Sequence, residues 1–97
     1  MKGKLYNQCI DYASHAVGLD YKNPYTRHGK KFYKPYRNYF GTVRNDKVWC
    51  ELEKLGYAKC YDVKIINQEE HASFKLTRSG LDWLGKVLDV KIYDETM

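Results

Sequence analysis

Apolar residues recur at intervals of three and four in three parts of the chain, which is the spacing of one face of an α-helix. This spacing predicts helices over residues 4–18, 46–55 and 78–88. The predicted buried stripe of the second helix consists of Val48, Trp49, Leu52 and Leu55. The predicted buried side of the third consists of Leu81, Leu84, Val87 and Leu88.

The residues at the ends of these segments suit helix termini. Asn45 or Asp46 precedes the second helix and Thr77 precedes the third, and each has a side-chain oxygen that can cap a helix N-terminus. Gly18 and Gly56 follow the first two helices, and glycine readily takes the left-handed conformation that ends many helices. The helix boundaries are therefore predicted from local residues.

Two shorter segments alternate apolar with polar residues, which predicts β-strands over residues 58–66 and 71–77. The first strand places three apolar residues on one face: Tyr61, Val63 and Ile65. The polar residues 67–70 form the predicted turn, so the two strands pair as an antiparallel hairpin. Residues 89–94 predict a short terminal strand.

The composition of residues 21–45 differs from that of the rest of the chain, and we call this stretch the aromatic-basic segment. It holds seven of the 17 Lys and Arg residues, seven of the 15 aromatic residues and no Asp or Glu. The formal net charge of +5 is therefore concentrated here. Prolines and glycines punctuate the segment and predict a long connection without a helix, held in place by its own aromatic side chains.

The helix that ends LEKLGY and the later string FKLTRSGLDWL resemble the second half of winged-helix domains of the bacterial regulator type. The resemblance covers about residues 46–88. It implies an α+β fold in which a helix, a two-stranded wing and a closing helix follow in order. We therefore predict a single winged-helix-like domain over residues 1–97.

A second resemblance covers more of the chain. The strings HAVGL at residues 15–19 and YRNYF at residues 36–40 are similar to small proteins of phages and prophages. One departure from DNA-reading winged helices affects the functional expectation. In those domains the helix before the wing enters the major groove of DNA. Here the predicted helix in that position, residues 46–55, carries three acidic and two basic residues, which does not suit close contact with phosphates.

Composition narrows the classes of function. No run approaches the about 20 apolar residues of a membrane span, and no apolar stretch follows the charged start as in a signal peptide. Three cysteines without a CxxC pair suit reduced thiols in a cytoplasm. Neither their spacing nor that of the histidines matches a zinc site, and no acid, base and nucleophile are paired, so we expect no metal, no cofactor and no enzymatic activity.

Clustered cations interleaved with rings suit a nucleic acid, because cations can follow phosphates while rings stack on bases. We predict a non-enzymatic nucleic-acid-binding protein, with DNA as the first choice of partner. The expected contact residues are Lys22, Arg27, Lys30, Lys31, Tyr33, Lys34, Tyr36, Arg37, Arg44, Lys64, Lys75 and Arg78.

Four alternatives stay open. The tyrosines can instead fill the space of a missing helix, and the lysines of the hairpin can protect an exposed strand edge. The partner can be an acidic host protein, as for a phage-encoded, anti-CRISPR-like inhibitor of a nucleic-acid machine. The chain can also form a homodimer through the last helix with Val90 and Ile92.

Overall fold

The computed structural model describes residues 3–19, 24–35 and 37–93, without the side chains of Tyr25 and Arg27. Within these residues, three helices and two three-stranded sheets form an α+β fold. The α+β class is the one that the sequence predicted. In chain order the elements are α1 (Gly3–Val17), β1 (Tyr25–Arg27), β2 (Lys30–Tyr33), β3 (Phe40–Val43), α2 (Lys47–Lys54), β4 (Ala58–Ile66), β5 (Glu69–Leu76), α3 (Arg78–Leu88) and β6 (Lys91–Ile92).

The predicted helix ends are confirmed. The Asp46 carboxylate accepts hydrogen bonds from the backbone N–H groups of Val48 and Trp49, so Asp46 rather than Asn45 caps α2. Thr77 caps α3 by accepting a hydrogen bond from the Gly80 N–H. At the end of α2, Gly56 has a φ of 81°, and the next N–H donates back to the helix. These contacts join near neighbours in sequence, which is why the sequence predicted them.

The predicted hairpin is present as β4 and β5, but β5 begins earlier than expected. The turn contains only Asn67 and Gln68, with φ values of 52° and 68°. Two consecutive left-handed residues are typical of a type I′ turn, whose twist matches that of paired strands. A β-bulge lies at Tyr61, so Tyr61 does not alternate with Val63 and Ile65 as predicted.

The described residues of the aromatic-basic segment hold no helix, as predicted, but they form three short strands that the sequence did not predict. Its last strand, β3, pairs antiparallel with β5 and gives the sheet order β3-β5-β4. Its first two strands form a hairpin, and β2 also pairs parallel with the predicted terminal strand β6. Strands of three or four residues produce too short an alternation to be recognised, so these pairings were missed.

The core lies where the three helices meet the β3-β5-β4 sheet. Its largest buried side chains are Trp49, Phe74, Leu52, Leu81, Leu84 and Ile92. The rings of Phe40 and Phe74 pack on the Trp49 ring, with centroids 5.2 and 5.5 Å away. Two expectations are corrected. Leu55 is exposed, since α2 ends at Lys54 and Leu55 is the C-cap residue that follows it. Ile92 is 2% exposed and therefore unavailable to the predicted dimer contact.

Candidate nucleic-acid interface

A cleft of about 640 Å³ lies between the β1–β2 hairpin, β6 and the C-terminal part of α3. Leu81, Gly85 and Ile92 contribute buried surface to it. Four exposed lysines line it: Lys30, Lys31, Lys86 and Lys91. We call this site the lysine cleft. It gathers cations from β2, which lies early in the chain, and from α3 and β6, which follow each other near the end of the described chain.

The parallel pairing of β2 with β6 brings these lysines together. Phe32 pairs with Lys91 in this register. Lys30 and Lys31, which precede Phe32 on β2, therefore lie beside the C-terminal end of the described chain. Asp89 ends α3 in the left-handed conformation, and the Val90 N–H then donates to the Gly85 carbonyl oxygen at 2.8 Å. This tight turn directs the chain from α3 straight into β6, so that Lys86 and Lys91 line the same cleft.

Two half-buried aromatic rings adjoin the lysines. The rings of Phe32 and Tyr93 stack with their centroids 6.3 Å apart and their planes 17° apart. Both residues line the cleft. A hydrogen bond from the Tyr93 N–H to the Tyr33 carbonyl oxygen holds the two segments together. The site therefore combines positive charge with a flat apolar surface.

The acidic residues of the cleft offset its charge only in part. Asp82 and Asp89 also line it, and the Arg78 guanidinium binds the Asp82 carboxylate at 2.8 Å. Within the part of the chain that the structure describes, none of the four lysines forms an ion pair. Their ammonium groups are therefore available to an anionic partner.

Arg44, one of the predicted contact residues, makes its contacts with other residues of the same protein. Its guanidinium lies 3.3 Å from the Glu53 carboxylate and 5.7 Å from the centre of the Phe74 ring. The neighbouring Glu53 charge raises the pKa of Arg44 further above its usual value. Arg44 thus connects β3 to α2 and is not part of the lysine cleft.

Arg37 and Tyr33, two further predicted contact residues, form hydrogen bonds within the protein. The Arg37 guanidinium donates to the His15 carbonyl oxygen at 2.7 Å. Tyr33 is 3% exposed, and its hydroxyl donates to the Val17 carbonyl oxygen at 2.7 Å. The expected stacking of Tyr33 on a base would require removing its ring from the core and breaking the hydrogen bond of its hydroxyl to the end of α1.

The other predicted contact residues are scattered. Lys34 is exposed beyond the end of β2, and Lys64 and Lys75 are exposed on the β4–β5 hairpin. The Lys75 ammonium lies 5.9 Å from the centre of the Tyr61 ring. Three further predictions, Lys22, Tyr36 and the Arg27 side chain, fall outside the described residues. The described cations of the aromatic-basic segment therefore do not all share one surface.

Sequence reasoning missed Lys86, Lys91 and Tyr93. For Lys91 and Tyr93 the sequence did hold a partial indication, because both alternate with Ile92 in the predicted terminal strand and therefore share one face of it. Which strand would pair with it could not be read from that alternation. Only the pairing with β2 reveals that these residues lie beside Lys30 and Lys31.

No group of three or more His, Cys, Asp or Glu side chains within the described ranges is arranged to hold a metal ion. Among the helices of those ranges, none has the length and apolar character needed to span a membrane. Comparisons of the chain with protein-family models, with curated proteins and with solved structures found no match.

Proposed function

We propose that this chain is a non-enzymatic module that binds the sugar-phosphate backbone of a nucleic acid in the lysine cleft. The observation that supports the proposal is the convergence of four exposed lysines on one cleft, none of which forms an ion pair with a described residue. Lysine ammonium groups bind phosphates without reading bases, because their contact is a point charge. We therefore expect binding with little dependence on sequence.

The rings of Phe32 and Tyr93 favour a single strand as the ligand. Bases of a single strand can stack on aromatic side chains, and such stacking contributes about 1–3 kcal/mol per base. Bases in a duplex already stack on each other. Because both rings are half-buried and adjoin the lysines, a phosphate at Lys91 would leave the neighbouring base close to them.

The winged-helix resemblance offers a different contact surface, at α2 and the β4–β5 hairpin. The order of α2, hairpin and α3 supports that resemblance. However, Glu51 and Glu53 lie on α2 and oppose the charges of Lys47 and Lys54. We therefore place nucleic-acid binding at the lysine cleft rather than at α2.

A charge-matched pair of double variants tests this placement. K31A/K91A removes two cations from the lysine cleft, and K47A/K54A removes two exposed cations from α2. The ligand is a labelled single-stranded DNA or RNA oligonucleotide, followed by fluorescence anisotropy across a range of salt concentrations. We expect K31A/K91A to weaken binding by about tenfold and to lower the salt slope by about 1.4, since each phosphate contact in a single strand contributes about 0.7.

K47A/K54A is the control and should bind within about twofold of the wild type. A larger loss in K47A/K54A than in K31A/K91A would move the contact to α2. Absence of any complex between the wild type and either oligonucleotide at low salt would overturn the proposed function.

An acidic protein surface is the second candidate partner. The presence of Asp82 and Asp89 among the lysines favours it, because a site of mixed charge suits a partner that also carries both signs. Polyglutamate of the same charge as the oligonucleotide separates the two candidates. Tighter binding of the oligonucleotide supports nucleic acid, since only bases can use the Phe32 and Tyr93 rings. Equal or weaker binding of the oligonucleotide favours the acidic protein.

A further inference from the structure

The β4 strand lies at the edge of its sheet, and several of its apolar side chains are exposed. The large apolar residues on it are exposed by 73% at Ile65, 50% at Tyr61, 49% at Ile66 and 46% at Val63. A long edge strand with exposed apolar residues is prone to pair with another strand, and proteins usually protect such edges. This edge is therefore a candidate interaction surface.

The register of the hairpin shows which backbone groups are available on this edge. Ile66 and Glu69 bound the two-residue turn and form a hydrogen-bonded pair, and such pairs alternate along an antiparallel ladder. Lys64 and His71 therefore form a hydrogen-bonded backbone pair between β4 and β5. Val63 and Ile65 belong to the alternate pairs and direct their N–H and C=O groups away from β5. These two residues offer the donors and acceptors that an additional strand needs.

We propose that the occupant of this edge is a second copy of the same chain, paired antiparallel about a two-fold axis at Val63. In this register each Val63 faces the partner's Val63 and exchanges two backbone hydrogen bonds with it. Asp62 then faces the partner's Lys64, and this ion pair occurs twice. Within one chain the Lys64 ammonium lies 3.9 Å from the Asp62 carboxylate, so both groups are already on the same face.

Charge selects this register over its neighbours. Shifting the two-fold axis by one residue to Asp62 would place two aspartates opposite each other, and shifting it to Lys64 would do the same with two lysines. Like charges directly opposite each other destabilise a pair of strands. The Val63 register also brings Ile65 next to the bulged Tyr61 of the partner subunit, which removes apolar surface of both from water.

The resulting interface is small, because it consists of one strand from each copy. We therefore expect a reversible dimer with a dissociation constant on the order of 10–100 µM. Sedimentation equilibrium of the wild type without nucleic acid, from low-micromolar to near-millimolar protein, should show the dimer. A wild type that stays monomeric throughout this range would overturn the proposal, and would leave the edge to a strand of another protein.

Charge reversal tests the register itself. D62K and K64D each place like charges opposite each other in the homodimer, so each variant alone should be monomeric at concentrations where the wild type is half dimeric. An equimolar mixture of the two restores both ion pairs and should dimerise, as should the double variant D62K/K64D. Dimers of wild-type strength in either single variant would show that the interface lies elsewhere.

Both reversals involve exposed side chains, so circular dichroism spectra and melting temperatures should match those of the wild type. The lysine cleft is unchanged in these variants. Failure of nucleic-acid binding and failure of dimerisation are therefore separate results.

Discussion

The side chain of Asn38 forms two hydrogen bonds with the backbone of β5. Its amide nitrogen Nδ2 donates to the Leu76 carbonyl oxygen at 3.0 Å, and its Oδ1 accepts from the Leu76 N–H at 2.8 Å. Asn38 is only 9% exposed, so water cannot replace these bonds easily. An amide presents one donor and one acceptor side by side, as a neighbouring strand does, which explains why asparagine suits this position.

We predict that N38A lowers the free energy of unfolding by about 2–3 kcal/mol, because it leaves the Leu76 donor and acceptor buried without partners. Urea unfolding followed by tryptophan fluorescence measures this loss. N45A is the matched control, since Asn45 is exposed, and should change stability by less than about 0.5 kcal/mol. Equal stability of N38A and N45A would contradict this role for Asn38.

Cys9 lies in the core between α1 and α2, and its environment opposes ionisation. Burial of the thiol, with a smaller contribution from the negative charge of Glu51, raises the pKa of Cys9 from 9.0 to about 11. In the unfolded chain the thiol ionises near its usual pKa. Between these two pKa values the unfolded state therefore binds fewer protons than the folded state, and stability falls as the pH rises.

We predict that the stability of the wild type relative to C9A declines by up to about 1.4 kcal/mol per pH unit above pH 9, and levels off above the folded-state pKa. Urea unfolding of both proteins at several alkaline pH values measures the difference. Tyrosine and lysine titration is common to both proteins and cancels. A difference that does not change with pH would show that the Cys9 thiol ionises equally in both states.

At the scale of elements, the first turn of α3 packs directly on the turn that follows α2. The Thr77 hydroxyl donates to the Gly56 carbonyl oxygen at 2.7 Å, and the Thr77 N–H donates to the Tyr57 carbonyl oxygen at 3.0 Å. A Cβ atom at Gly80 would overlap that same Tyr57 oxygen. The T-x-x-G spacing therefore has a packing reason: threonine caps α3, and glycine allows its close approach to the chain.

We predict that G80A destabilises the protein by about 1–3 kcal/mol, because α3 must move away from residue 57 to accommodate the methyl group. The same substitution at Gly41 is the control, since a Cβ there has no heavy atom of the described structure within 4 Å. Thermal unfolding of both variants measures the contrast. A melting temperature of G80A at or above that of G41A would refute the packing argument.

At the scale of the molecule, β6 joins the end of the described chain to its first third. Ile92 pairs with Tyr33 and is almost fully buried, and its carbonyl oxygen accepts a hydrogen bond from Arg78. These contacts connect β2, α3 and the core, and they also hold the lysines of the cleft together. The β4–β5 hairpin, by contrast, exposes all its side chains from residue 61 to residue 70.

We predict that I92A costs about 2–4 kcal/mol in the free energy of unfolding, since it leaves a cavity between these elements. I66A truncates an exposed isoleucine of another strand and should cost less than about 0.5 kcal/mol. Both values come from urea unfolding in dilute protein, where the chain is monomeric. A similar cost at the two positions would mean that β6 is only peripherally attached.

Those parts of the protein whose contacts are local could be predicted from the amino-acid sequence. The α3 helix from Arg78 to Leu88, the β4 strand, the cap Thr77 and a cap at Asn45 or Asp46 were all predicted from residues within a few positions of each other, and the structure assigns that last cap to Asp46. Helical periodicity, side-chain capping and the left-handed preference of glycine act over one or two turns. For this reason the three helices, the hairpin and the α+β class could be read without any tertiary information.

Which cations are available to a partner, and where they come together, depends on contacts between residues far apart in the chain. Arg44 forms an ion pair because α2 brings Glu53 to it, and Tyr33 is buried because its ring packs in the core and its hydroxyl bonds to the end of α1. Lys31 and Lys91 line one cleft because two strands some sixty residues apart pair in parallel. Such pairings depend on how all the apolar faces are buried together, and short strands carry too little local pattern to specify their partners.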